Sequence, residues 1–433
     1  MAAPSIAEPL AEKRPTRARY RVVLFAVTLA FITYVDRACI GQAAPAIRRE
    51  FSLTPVQMGH VFYAFGLAYA LFEIPSGWLV DWIGPRKVLM RIVIWWSFFT
   101  AATGWVWNRP SLLATRFLFG AGEAGCFPGL AKSFSTWLPQ RERVLAEGLK
   151  AASARWGGAV TPYLVVMLMP FMSWRQVFMV FGALGIIWAL FFYRWYRDDP
   201  RQHQGVNAAE LALLREAQHT ASGHKSVPWK KFLSSRSVWL LWAQWFCHFY
   251  GFYFYITWLP TYLQQGRGME LRTGALLAGL PLLTAGAGSL FCGLIWPYAH
   301  RWTGSVSRTR RLMAYIAFGG ASGMLLLSIQ VKNPVWAMVA MSLSSFTAEL
   351  SGPVSWTTCM DLGGRYVGSL SASMNMMGQL GGSVAPTLIG LILQWSGENW
   401  AIAFYVSAAI YFMGVFCWMF LDPTASLDRP TAS

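Results

Sequence analysis

The sequence predicts an all-α membrane protein of twelve transmembrane helices arranged as two pseudo-symmetric six-helix bundles. Three observations predict it: scarcity of charge, the number of long apolar runs, and an internal repeat. Of 433 residues, 55% are hydrophobic and only 13% charged, against ~25% charged in an ordinary soluble domain. The 23 Trp, 16 Tyr and 29 Phe are likewise too many for a soluble enzyme, and the composition excludes a disulfide scaffold or a disordered tail. The six cysteines stand singly in apolar segments, which predicts buried, reduced thiols.

A spanning helix needs ~20 mainly apolar residues. Twelve such runs occur, at about 22–44, 57–80, 87–107, 111–135, 144–169, 174–195, 238–264, 272–298, 311–330, 334–358, 366–394 and 400–421. Residues 1–21 form a polar, basic tail, and the run after it lacks an A-x-A cleavage site, so it reads as a retained first helix. The halves are 22–195 and 237–421, joined by a polar loop over 196–236 with a short helical pattern from Ala208 to Ala217, and 422–433 is a short tail. Lys and Arg set the orientation. The tails and even-numbered junctions hold 24 of the 36, the odd-numbered junctions 7 and the spans 5. Both termini are therefore expected on the cytoplasmic side of a plasma (inner) membrane. This placement also accounts for the net charge of +17 without nucleic acid.

The repeat appears as GGAVTPYL (157–164) against GGSVAPTL (381–388), and SWRQVFMV (173–180) against NWAIAFYV (399–406). Two related halves with a site at their midplane interface are characteristic of transporters. Charges within spans are costly and mark cavities. The in-span carboxylates are read as Asp36, Glu73, Glu123 and Glu349, and the deep cations as Arg37, Arg116 and Arg155, with Lys132 and Lys150 snorkelling near helix ends.

Arg116 and Glu123 are seven residues apart, on one face of the fourth span and ~10 Å apart along it. They suit a cation holding an anion above a proton-exchanging carboxylate; alternatively each pairs with a neighbouring helix. In TYVDRACIGQAAP, Tyr34 and Arg37 share a face while Asp36 points elsewhere, a proton site beside a clamp or a structural ion-pair network. Glu349 lies 226 residues after Glu123, close to the repeat offset, and is open between a functional and a structural role. Glu73 reads as part of a gate network. His248, Tyr250, Tyr253, Tyr255 and Trp258 lie in one aromatic stretch and are open between packing and substrate contact. Gly120 to Gly125 match G-x-G-x-x-G but lie mid-span with no preceding strand, so close helix approach explains them better. With no P-loop, nucleophile elbow or metal-ligand cluster, neither enzyme activity nor a cofactor or metal is expected.

GWLVDWIGPRK places Gly77, Asp81, Gly84, Arg86 and Lys87 in a pattern that resembles the loop signature of the major facilitator superfamily. Its degenerate second copy, GLIWPYAHRW, has Pro297 in place of the Asp. Within that superfamily the chain resembles the anion:cation symporter family through YVDR (34–37), AYALFEIPSGWLVDWIG (68–84), R-x6-E-A-x3-P (116–128), DDPRQHQGVNAAE (198–210), ITWLPTYLQQGRGM (256–269) and SMNMMGQLGG (373–382). The resemblance implies proton-driven import of a small organic anion, such as a hexonate or hexuronate, by a monomer in the lipid bilayer. It also implies Arg116 on the substrate carboxylate, Asp36 and Glu123 as proton sites, and Arg37 as their charge partner. Tyr34, Tyr69, Trp356 and Asn375 match positions lining the site or its gates; Tyr253 and Arg155 join the expected contacts. An organophosphate-type exchanger and a transporter-like sensor are the alternatives.

Overall fold

The computed structural model describes residues 14–214, 226–269 and 277–427. Among the described residues the chain forms twelve spans that alternate in direction. Span 1 is Ala18–Glu50, span 2 Pro55–Ile83, span 3 Pro85–Thr103, span 5 Gln140–Leu168 and span 6 Trp174–Trp195. In the second half, span 7 is Arg236–Thr257, span 8 Leu280–Thr303, span 9 Val306–Gln330, span 11 Val367–Trp395 and span 12 Trp400–Phe420. Spans 4 and 10 each consist of two helices: Arg109–Glu123 with Cys126–Trp137, and Pro334–Ala348 with Ser351–Gly363. Within the loop, Ala208–Leu214 is helical as expected, and the remainder of that pattern lies outside the described residues.

Reversals at the end away from the termini are fixed locally. Spans 2, 4 and 6 begin with reciprocal caps, Thr54 with Gln57, Asn108 with Ser111 and Ser173 with Gln176, which satisfy amide donors a helix start leaves open. Asn333 and Asn399 cap spans 10 and 12. The opposite, basic end holds the central loop. There the buried Glu210 accepts bonds from the Ala18 and Arg19 amides at 3.3 and 3.1 Å, fastening the loop to the start of span 1. Trp107, Phe171, Trp336 and Trp395 are exposed at the far ends of their spans and Trp302 at the basic end, the pattern of aromatic belts at two lipid interfaces.

The two broken spans correct the expectation of single runs over 111–135 and 334–358, and proline explains both. Pro128 cannot donate to Ala124 four residues earlier, nor Pro353 to Glu349. In span 4 the chain turns through an extended Ala124 and a left-handed Gly125 at φ +86°. A Cβ there would stand 2.4 Å from Ser76 Cβ, so the break and its packing both require glycine. In span 10 the Glu349 carbonyl accepts instead from Gly352, three residues on. Glu123 and Glu349 thus occupy matching breaks in the two halves, and interrupted spans are where carriers of this build place their sites.

The halves close on each other toward the basic end. Gly77 of span 2 lies so near span 11 that a Cβ would be 2.4 Å from Ala372 Cβ, and one on Gly148 of span 5 would be 2.5 Å from the Ser289 carbonyl of span 8.

Candidate functional site

A cavity of about 320 Å³ lies between the halves, at the small end of the ~300–1,000 Å³ typical of small-molecule sites. Spans 1, 2 and 5 contribute Tyr34, Arg37, Phe65, Tyr69, Lys150 and Arg155; span 4 contributes Phe127. From span 7 come Trp245, Phe249, Phe252, Tyr253 and Ile256, a helical spacing that shows one face of the aromatic stretch. Glu349, Trp356, Asn375 and Gln379 complete the wall.

Each cation of the wall has a carboxylate. The Arg37 Nε donates to the fully buried Glu123, and its guanidinium lies over the Tyr69 ring at 4.6 Å. Arg155 donates to Glu349 through Nε at 2.9 Å and Nη2 at 2.5 Å, and through Nη1 to the Tyr34 hydroxyl at 3.3 Å. That ion pair crosses between the halves. Glu349 also accepts from Ser289 at 3.1 Å and has the His248 Nε2 at 3.7 Å. His248 itself stacks on Trp245 and shares a hydrogen bond with Ser351, behind the wall. Lys150 pairs with Glu147, one turn before it.

A second layer of charge lies behind span 1. Asp36 is fully buried, accepts from the Trp96 indole at 3.2 Å through one oxygen and leaves the other unpartnered. It interacts electrostatically with Glu123 and Arg116. Arg116 does not line the cavity: its guanidinium stacks on Phe119 at 4.3 Å, has Phe65 at 5.4 Å, and leaves Nε and Nη1 unpartnered. In this conformation the cations presented to the cavity are Arg37, Lys150 and Arg155. Reading Lys150 as a snorkelling residue is corrected, because its Nζ lies over the Trp356 ring at 4.3 Å and only 1% of the residue is exposed. Glu147, buried beside it, went unmarked in the sequence although it lies within the apolar run.

Below the cavity the gate residues form three ties. Asn375 donates to Tyr69 and Glu73, each at 3.1 Å. Asp81 of span 2 accepts from the Gly368 and Ser369 amides of span 11 at 2.9 and 2.7 Å and from the Ser369 hydroxyl at 2.7 Å. It therefore caps the first turn of a helix in the other half, with Lys132 at 3.4 Å. Gly84 adopts φ +96° against Asp198, while Arg86 donates to the Tyr193 carbonyl and anchors within its own half. Where Pro297 breaks the second copy of the signature, a different residue holds the gate. Asp361, at the end of span 10, accepts from Gln140 at 2.6 Å, Arg143 at 3.0 Å and Arg310 at 2.6 Å.

The profile of the Major Facilitator Superfamily matches residues 26–386. The chain belongs to this superfamily. Among curated members, the probable sulfoacetate transporter SauU of Cupriavidus necator is 32% identical over 96% of this chain and 97% of its own. The probable galactarate/D-glucarate transporter GudP of Escherichia coli is 30% identical over 91% of each. The proton:xylose symporter XylE superposes with a TM-score of 0.74 at 12% identity, over 93% of this chain and 96% of its own, which establishes the fold. A superfamily member of this kind is a multi-pass membrane transporter and not an enzyme.

Asp81→Asn is expected to loosen the closed end. Charged hydrogen bonds are worth about 1.5–3 kcal/mol each, so losing the charge should shift the balance of conformations at least tenfold toward opening on the basic side. Spin labels on the basic ends of spans 2 and 11 would report a longer distance; an unchanged distribution would remove Asp81 from the gate.

Proposed function

We propose that this transporter imports a small organic anion of the sugar-acid class together with protons, by alternating access. One observation carries the reading: Arg37 faces the cavity while the carboxylate that neutralises it, Glu123, lies behind it. With Glu123 ionised, the guanidinium is held in an ion pair through its Nε. A proton on Glu123 releases it to take the acid group of a substrate, so binding of proton and anion are linked through one hydrogen bond. Carboxyl groups in apolar surroundings are suited to holding protons. Asp36, with its unpartnered oxygen and its coupling to Glu123 and Arg116, supplies a second acceptor in the same layer.

The aromatic faces and the Tyr34, Tyr69, Tyr253, Asn375 and Gln379 polar groups fit a hydroxylated carbon chain, apolar on one side and hydrogen-bonding on the other. The relatives' names, sulfoacetate and galactarate/D-glucarate, are those of small organic anions. Co-transport of protons reduces the charge moved, which matters because each elementary charge costs ~2.3 kcal/mol per 100 mV. The Lys/Arg bias puts the basic end in the cytoplasm of a plasma (inner) membrane, so the cavity faces outward here. Import then requires the ties at Asp81, Asp361 and Asn375 to part while the far ends of the halves close.

Thermal stabilisation of the purified protein by a panel of sugar acids tests the assignment. A member of the panel is expected to raise the melting temperature of the wild type and not that of Arg37→Gln. Equal stabilisation of both would remove Arg37 from the binding site.

A further inference from the structure

Among the described residues, four charged side chains line the cavity: Arg37, Lys150, Arg155 and Glu349. Arg155 and Glu349 cancel on that surface. The partners of the other two cations, Glu123 and Glu147, do not line it. The face shown to a substrate therefore carries two cations whose counter-charges lie behind the wall.

The two flank one ring. Phe127 has the Arg37 Cζ at 5.8 Å and the Lys150 Nζ at 5.6 Å from its centroid, so a molecule of a few carbons can bridge both. Lys150 has three N–H donors; one faces Glu147 in an ion pair, and none makes a hydrogen bond. Around the others stand the rings of Trp356 at 4.3 Å, Phe127, and Phe134 at 5.8 Å. As a structural element this is poor, since burying an ion pair among rings costs stability that an apolar pair would not. As a binding element it is apt, because a compact ammonium accepts a planar or a tetrahedral acid group equally.

We propose that Lys150 holds a second acid group, so that the substrate is a short dianion, a dicarboxylate or sulfo-carboxylate, bridging Arg37 and Lys150. The inference rests on the organic-anion reading above and narrows it. Glu147 then stands to Lys150 as Glu123 stands to Arg37, a carboxylate that holds the cation until the substrate arrives.

Matched pairs of ligands test it, each dianion set against a monoanion without the second acid group: galactarate with galactonate, which has a hydroxymethyl group in place of one carboxylate, and sulfoacetate with glycolate, which has a hydroxyl in place of the sulfonate. Calorimetric titration of the purified protein is expected to show at least one dianion binding tenfold or more tighter than its monoanion. In the double variant Glu147→Gln with Lys150→Gln, which leaves no uncompensated buried charge, that preference should fall below threefold. Lys150→Arg, which keeps both charge and fold, should keep the preference. A wild type in which no dianion binds more tightly than its matching monoanion overturns the second subsite and leaves the organic-anion reading standing, as does a double variant that still discriminates tenfold. A wild type bound by no member of the panel overturns both.

Discussion

Glu123→Gln is expected to abolish accumulation driven by an inward proton gradient while sparing exchange of labelled for unlabelled anion across the membrane. The amide keeps the shape of the side chain and still accepts a bond from Arg37, but it cannot gain or lose a proton and cannot hold the guanidinium as an ion pair. Arg37 is then free for substrate whatever the pH, so binding and the rocking of the loaded carrier continue. What disappears is the link between proton and anion. Gradient-driven uptake should fall at least a hundredfold, with counterflow within a fewfold of the wild type. Undiminished accumulation would place the coupling proton elsewhere, with Asp36 as the next position to test.

Arg155→Met should be the most destabilising single change in the cavity. It leaves Glu349 buried without the guanidinium that donates twice to its Oε1, with Ser289 at 3.1 Å and His248 at 3.7 Å as its remaining polar neighbours. Removing one member of a buried pair costs about 3–5 kcal/mol, whereas replacing both by apolar residues of similar volume is neutral or better. Arg155→Met with Glu349→Leu should therefore recover most of the lost thermal stability. Transport should not recover, because the pair ties span 5 of one half to the break in span 10 of the other, at the place where the halves must move. Denaturation midpoints in detergent and uptake on the same samples separate the two effects. Recovery of both would make the pair a structural filler.

The architecture was readable because lipid imposes it: only long apolar runs can span, so each of the twelve runs overlaps a span among the described residues, with ends that differ by up to about eight residues and the expected start of the eighth at 272 outside the described residues. In-span charges stood out for the same reason, and Arg37, Arg155 and Glu349 do meet at the cavity. What the sequence hid was depth and facing. Lys150 seemed near a helix end because the apolar run starts at 144, yet the helix begins at Gln140, which puts Lys150 ~15 Å along it. Arg116 and Glu123 share a face, but only packing shows Arg116 against Phe119 and Phe65 while Glu123 turns to Arg37. Asp361 fell just beyond the predicted end of its span, and its role depends on three partners from distant parts of the chain. The helix breaks carried a signal in Pro128 and Pro353 that hydropathy alone overrides.

The central claim is that proton and anion move inward together. Purified protein in liposomes, given a labelled sugar acid with an inward proton gradient and then with a protonophore, measures this directly. The account predicts uptake above equilibrium that collapses when the gradient does. Uptake that ignores the gradient but proceeds rapidly against preloaded anion would contradict it and identify an exchanger.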